Sequence, residues 1–165
     1  MENLCSFIKI YKQMRRELNL PGFTSRIRQT EKGDMIFDPV RKKYIYLTPE
    51  EWVRQHIINY LVNNLGYPIG LLNVEKKVDV NGQPQRIDLL ANSKKGKPIL
   101  LVECKAPEVK ITQQAFDQIN VYNQFLKVPF LLVTNGLQHF CFKLDEDHSS
   151  YVFLEEIPSY MAIVK

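Results

Sequence analysis

Cysteine is scarce in this 165-residue chain: Cys5, Cys104 and Cys141 are odd in number, far apart and form no CxxC. That excludes a disulfide or zinc framework and fits reduced thiols, with a cytoplasmic location as the expectation. Long apolar runs are missing as well. PILLV at 98–102 and PFLLV at 129–133 fall far short of the ~20 residues that span a bilayer, so no membrane association is expected. The first residues, MENLCSFIKIYKQMRRE, carry Glu2 and scattered charges and do not read as a signal peptide. No GxxxxGK[ST] occurs, so these residues encode no P-loop motor. His56, His139 and His148 are scattered without metal-ligand spacing. No repeat or low-complexity stretch appears.

What is present is ordinary globular composition: 45% hydrophobic, 24% charged, net charge +4. Length and composition suit one domain with at most a small appendage. The small basic excess permits an anionic partner without requiring one.

Phe7, Ile10, Tyr11, Met14 and Leu18 fall at helical spacing and predict an amphipathic helix ending before Pro21. The runs FTSRI, MIF and YIYL, separated by EKGD and DPVRKK, predict a small β-meander over 23–47. Its Arg26, Arg28, Arg41, Lys42 and Lys43 could touch phosphates or simply face water. The division expected is an N-terminal extension, 1–47, and a core, 48–165.

The core opens on Thr48-Pro49-Glu50-Glu51, with Thr48 as N-cap, Pro49 at the first helical position and Glu51 closing a capping box. The helix should run to about 65 and stop at Gly66, burying Trp52, Val53, Ile57, Tyr60 and Leu61. Strands are expected at about 71–80, 85–91 and 98–105, the first two joined by an Asn81-Gly82 hairpin turn. A helix over 112–127, with Thr112 as N-cap, precedes the strands PFLLVT, HFCFKL and YVFLEEI. Helix, three strands, helix and further strands make a mixed α/β pattern with one crossover helix.

The third strand, ILLVECKAPE, is apolar until Glu103 and Lys105 interrupt it. Residues i and i+2 share a face ~6.5–7 Å apart, so these two point together and Cys104 points into the opposite, packed face. If the second and third strands pair antiparallel, Asp88 stands beside Glu103. Two carboxylates so close repel unless a proton or cation intervenes, and hard oxygens favour Mg²⁺ or Mn²⁺. Bound metal would polarise a phosphoryl oxygen and activate water, with Lys105 steadying the developing charge. The plainer alternative is a structural Glu103–Lys105 ion pair. Cys104, turned away and without a nearby histidine in sequence, reads as a buried thiol and not a nucleophile. Glu75 reads as a surface charge on the first strand.

Asp88-x14-Glu103-Cys104-Lys105, between a helix with an early glutamate and a second helix, resembles the PD-(D/E)xK nuclease superfamily. More narrowly the chain resembles the N-terminal nuclease domain of type I restriction enzyme R subunits in a short, single-domain form. IFDPVRKKYIYLTPEEWVRQ, LLVECKAPEVKITQQAFDQI and LLVTNG carry that likeness over about 20–158. It implies a restriction-endonuclease-like αβββαβ core with a mixed central sheet, and Mg²⁺-dependent hydrolysis of DNA, with Mn²⁺ able to substitute. Asp88 and Glu103 would be the metal ligands, Lys105 the catalytic lysine, and Glu51 an outer acid reaching the metal through water. Gln118-x3-Tyr122 matches the QxxxY motif of the R-subunit nucleases and would support the site or touch DNA. Lys76, Lys77 and Lys110 would hold the backbone. A second copy, or helicase- and modification-type subunits, would be partners. Two departures stand out. Ile87, not proline, precedes Asp88, and no helicase is present, so ATP-driven translocation does not transfer. The competing classes are a non-catalytic module of the same fold that binds nucleic acid or a protein, and a small-molecule phosphodiesterase.

Overall fold

Turn residues at Glu31-Lys32 and Pro39–Lys42 divide the first described segment into β1 (Ile27–Thr30), β2 (Gly33–Asp38) and β3 (Lys43–Tyr46). They form an antiparallel sheet in the order β1-β2-β3, the meander expected. In register, Met35 opposes Tyr46 and Phe37 opposes Tyr44, while Ile36 opposes Ile45. Period-two alternation therefore turns Ile36 and Asp38 inward, where both are fully buried, and sends Met35, Phe37, Tyr44 and Tyr46 outward.

The structure, a computed structural model, describes residues 16–80, 82–145, 147 and 150–164. Most of the expected N-terminal helix, His148 and the first residue of the Asn81-Gly82 turn lie outside these. Residues 16–20 are not helical, so that helix does not reach Pro21 as expected. Leu18 is instead a core residue: a Cβ placed on Gly136 would stand 2.8 Å from its Cδ2, and Asn19 N–H donates to Gly136 O at 2.7 Å.

Helix α1 spans Pro49–Asn63 and begins as the sequence predicts. Thr48 Oγ1 accepts from Glu51 N–H at 3.1 Å. The capping box is only half made, because the Glu51 carboxylate is engaged elsewhere, as shown below. The helix is also buried more widely than expected, since Arg54, Gln55, His56 and Ile58 join Val53, Ile57 and Leu61 inside.

A 3-10 turn (Ile69–Leu71) leads into β4 (Leu72–Val80), β5 (Gln83–Asn92) and β6 (Pro98–Cys104). Helix α2 (Gln113–Leu126) crosses to β7 (Phe130–Thr134), followed by β8 (His139–Leu144), β9 (Tyr151–Leu154) and the short α3 (Tyr160–Ile163). The sheet runs in sequence order β4-β5-β6-β7-β8-β9. Only β6 and β7 are parallel, because only they are joined by a helix. This is a mixed α/β fold: a six-stranded mixed sheet flanked by helices.

The sheet separates two apolar layers. Val53, Ile57 and Leu61 of α1 pack on Leu89, Leu100, Val102 and Cys104. Ala115 and Ile119 of α2 pack on Leu90, Leu101, Leu131 and Val133. Each leucine so buried is worth ~1.5–3 kcal/mol, and the strict alternation along β6 leaves no freedom of register.

One rung breaks the pattern. In the β4–β5 ladder Val74 pairs with Leu89 and Lys76 with Ile87, but the intervening pair, Glu75 and Asp88, is not made. Glu75 has φ +51, a left-handed conformation rare for a residue with a side chain. The two strands exchange faces there. Val74 and Leu89 face α1, whereas Val78 and Ile87 face the α2 layer. Both carboxylates sit at this reversal.

Candidate active site

The reversal and the end of β6 bring the charged residues together. Asp88 replaces a missing backbone rung: its Oδ2 accepts from Cys104 N–H at 2.7 Å. Its Oδ1 accepts from Arg54 Nη2 at 2.9 Å. Beyond Cys104, Lys105 N–H donates to Thr134 O at 2.8 Å, continuing the parallel ladder and fixing the lysine backbone.

Glu103 and Lys105 point together, as period-two alternation requires. Lys105 Nζ donates to Glu103 Oε1 at 2.7 Å and to Gln118 Oε1 at 3.2 Å. Gln118 Nε2 donates to the same Glu103 oxygen at 2.7 Å and lies 3.1 Å from Tyr122 Oη. Positions 118 and 122 share a helical face, so the expected QxxxY pair does reach the sheet. The amide holds both members of the Glu103–Lys105 pair at once. Glu103 Oε2 accepts no hydrogen bond among the described residues.

Glu103 is only 4% exposed. Burial, reinforced by the charge of Asp88, pushes its carboxyl up to about 7 against the opposing pull of Lys105. Burial also works against the Lys105 ammonium, but Glu103, Asp88 and Glu50 outweigh it and raise its pKa. Cys104 is fully enclosed on the α1 side, and burial with the neighbouring Asp88 charge holds its thiol well above the usual range. A protonated, enclosed thiol is no nucleophile, as its direction along the strand implied.

Asp88 is not the unpaired carboxylate that its sequence context suggests. Arg54, one turn beyond Glu50 and Glu51 on α1, gives Asp88 a buried counter-ion. Its Nη2 also reaches Glu50 Oε1 at 2.8 Å, and its Nη1 bonds Glu51 Oε2. Arg41, from the β2–β3 turn, binds Asp38 through Nε at 2.5 Å, Glu51 at 3.0 Å and Glu75 at 2.7 Å. Glu51 also accepts from Gln55 at 2.9 Å. Glu51 therefore faces two guanidiniums and an amide. Glu75, expected on the surface, belongs to this cluster and receives Arg86 at 3.3 Å as well.

Arg54 was detectable in principle, since i,i+3 and i,i+4 spacing from two glutamates puts it on their helical face. Arg41 and Glu75 carry no such signal, because their contacts span 34 residues and the left-handed turn at Glu75 leaves no trace in the pattern. Lys76, Lys77 and Lys110 are exposed, the first two on β4 and the third in the loop before α2, and no hydrogen bond ties them to the carboxylates. Asn135 is structural: its Oδ1 accepts from Leu137 and Gln138 N–H, and its Nδ2 holds Val109 O at 2.9 Å.

As a seat for Mg²⁺ or Mn²⁺, the donor set fits in kind: Asp88 and Glu103 are hard oxygen donors. Glu103 retains an unbonded oxygen and a carboxyl whose charge is disfavoured until a cation arrives. Among the described residues no group of three His, Cys, Asp or Glu could hold a metal alone. Water and phosphate oxygens would have to supply the remaining ligands, as is usual for Mg²⁺.

Residues 49–158 match the family described as the type I restriction enzyme R protein N terminus. The chain belongs to this family. The matched span holds α1, the whole six-stranded sheet and every carboxylate of the site except Asp38. No curated protein matches the sequence. Among solved structures it is similar to a fragment described as coming from the HsdR subunit of a type I restriction enzyme of Vibrio vulnificus YJ016. Identity is 19% and the TM-score 0.46, over 67% of this chain and 24% of that one. The chain thus spans about a quarter of the length of that fragment. Among the described residues no helix is long and apolar enough to cross a membrane.

Proposed function

We propose that this R protein N-terminal domain is a nuclease that hydrolyses DNA phosphodiester bonds with Mg²⁺, for which Mn²⁺ can substitute. The observation that carries the reading is the Glu103–Lys105–Gln118 triangle beside Asp88: an ammonium fixed at 2.7 Å from a buried carboxylate and held by an amide from a second element. A surface ion pair needs no such bracing.

The bound metal would supply charge to a phosphoryl oxygen and lower the pKa of a water. Asp88 and Glu103 are its seat. Lys105, with one donor left after its two bonds, orients the attacking water or steadies charge developing on the phosphate. Gln118 keeps Lys105 and Glu103 in register, and Tyr122 Oη anchors the amide. Arg54 fixes the Asp88 carboxylate from behind. Glu51, saturated by arginines, acts through Arg54 and not as a ligand. DNA is the expected partner. A second copy or helicase- and modification-type subunits would deliver the second strand and the choice of site.

The test is calorimetric titration of Mn²⁺ and Mg²⁺ into wild type, Asp88→Ala and Glu103→Ala, with and without a non-hydrolysable DNA, followed by cleavage assays. Binding lost in both variants, with cleavage lost in Lys105→Ala, is the expected outcome. A wild type that binds no cation even with DNA present would reduce the site to a structural ion-pair network in a non-catalytic module.

A further inference from the structure

The outer face of the β1–β3 sheet is unlike the rest of the surface. Arg26 lies over the Phe37 ring, its guanidinium carbon 3.7 Å from the ring centre, and Arg28 lies over Tyr44 at 3.9 Å. The register puts Arg28 opposite Met35 and Met35 opposite Tyr46, so Tyr46 completes the row. Tyr46 is 55% exposed. Two guanidinium planes and an open phenol ring thus cover one small sheet, and alternation sends Asp34 and Asp38 to its other face, so among the described residues this face carries no carboxylate. A solubilising surface has no use for flat groups in rows, and arginine needs no aromatic beneath it to stay hydrated.

The face is continuous with the site. A groove of about 430 Å³ runs from Met35, Tyr44 and Tyr46 past Lys43 and Thr48 to Glu50, Arg54 and Glu75. A polymer lying in it would touch the platform at one end and the charged cluster at the other. Guanidinium planes and aromatic rings accept the faces of nucleobases, and those faces are open only when the bases are unpaired. On the sheet face the arginines suit a phosphate backbone, and at the far end of the groove Arg41 and Arg54 offset the charges of Glu50, Glu51 and Glu75.

We propose that the outer face of the β1–β3 sheet is a stacking platform for the unpaired bases of single-stranded DNA whose backbone continues into the groove toward Arg41 and Arg54. This rests on the hydrolytic reading for the identity of the polymer. It adds that the substrate carries an unpaired segment next to the cleaved bond. Tyr46 and Arg28 would be the leading contacts, with Lys43 on a phosphate.

The experiment measures fluorescence anisotropy of a labelled oligothymidylate and of a duplex of equal length with the full chain in EDTA, where no hydrolysis occurs. Wild type should prefer the single strand. Tyr46→Ala should weaken single-strand binding about tenfold, ~1.4 kcal/mol, and leave duplex binding unchanged. Arg28→Lys keeps the charge but not the plane and should weaken it several-fold. A role limited to charge would not register that change. Both positions are exposed, and an unchanged melting temperature establishes that the variants fold. Failure of wild type to bind the single strand overturns the proposal. So does equal affinity for duplex, indifference to both substitutions, or a dimer in sedimentation that Tyr46→Ala dissociates. Asp88→Asn, which should abolish cleavage and retain single-strand binding, separates the two readings. Normal cleavage with indifference to Tyr46→Ala removes the platform alone, and single-strand binding that depends on Tyr46 without metal-dependent cleavage removes hydrolysis alone.

Discussion

Arg54 Nη2 stands 2.9 Å from Asp88 Oδ1 and 2.8 Å from Glu50 Oε1, so one nitrogen of a buried guanidinium joins the first core helix to the reversed strand. Burial opposes this charge, yet Asp88, Glu51 and Glu50 together raise the Arg54 pKa above its ordinary value. Arg54→Ala would leave Asp88 buried without its counter-ion and Glu51 with Arg41 alone of its two guanidiniums. Breaking a buried pair costs ~3–5 kcal/mol. With ~2–4 °C per kcal/mol in a chain of this length, the melting temperature should fall by ~6–20 °C. A fall under ~2 °C in thermal unfolding would show that the cluster is not structural.

On the hydrolytic reading proposed above, Gln118 would bear on chemistry and not on folding. Gln118→Ala removes the donor to Glu103 and the acceptor of Lys105 together. Misplacing a reacting group by ~1 Å can cost ~100-fold, so kcat for DNA cleavage should fall ~10–100-fold with KM nearly unchanged. Tyr122→Phe loses only the bond to the amide, ~0.5–1.5 kcal/mol, and should lower kcat by no more than ~10-fold. Equal kcat for wild type and Gln118→Ala would leave the amide with no positioning role.

The parts of this molecule readable in advance are those set by local periodicity. Thr48 and Pro49 start α1 where helix-capping chemistry puts them, alternation in β6 separates Glu103 and Lys105 from Cys104, and i,i+4 spacing aligns Gln118 with Tyr122. The ion-pair network is not local. Arg41 reaches Glu75 across 34 residues, and the face exchange at Glu75 and Asp88 needs a left-handed residue that a strand pattern does not announce. The same reversal explains why Glu75, which alternation would leave at the surface, ends among the arginines. Glu51 was legible as a cap, and its hydroxyl partner is correct, but its carboxylate goes to arginines because they offer charge where the Thr48 N–H offers only a dipole.

Two histidines give stability a pH dependence of known sign. Burial lowers the pKa of His56, held at 3.0 Å from Trp52 O, and of His139. Asn19 O can only accept, so His139 Nε2 carries the proton donated to it at 2.9 Å, and in the neutral ring Nδ1 accepts from Thr134 Oγ1 at 2.8 Å, whose hydroxyl oxygen accepts from Gly136 N–H. The neutral ring satisfies this arrangement, and burial disfavours the imidazolium. In the unfolded chain both titrate near ~6.5, so below that pH the unfolded state binds the extra protons. Their contribution is complete above ~6.5 and is lost as pH falls. Glu103, raised to about 7, acts oppositely, because its folded form holds a proton that the unfolded form has released. Urea midpoints in EDTA should therefore separate the two. Relative to wild type, His139→Gln should gain ground at pH ~5 over pH ~7.5, and Glu103→Gln should gain at pH ~7.5 over pH ~5. Parallel curves for all three proteins would contradict both assignments.

Backbone strain distinguishes a residue kept for its side chain from one kept by default. Lys127 caps α2 with φ +49 and ψ +46, exposed and followed closely by Pro129. The left-handed conformation costs a residue with a Cβ ~1–2 kcal/mol, part of which glycine returns as chain entropy. Lys127→Gly should then stabilise the protein by ~0.5–1 kcal/mol and raise its melting temperature by ~1–4 °C. Glu75 has nearly the same φ, +51, so glycine there relieves the same strain. It also removes the carboxylate that receives Arg41 at 2.7 Å and Arg86 at 3.3 Å, and leaves positive charge at the strand reversal without its partner. Glu75→Gly should accordingly lower the melting temperature. The opposite signs at two positions of equal backbone geometry are what thermal unfolding can read directly. A gain at both would mean that the Glu75 carboxylate contributes less than the strain it imposes, and the cluster would then rest on Arg54 and on the bonds of Arg41 to Asp38 and Glu51.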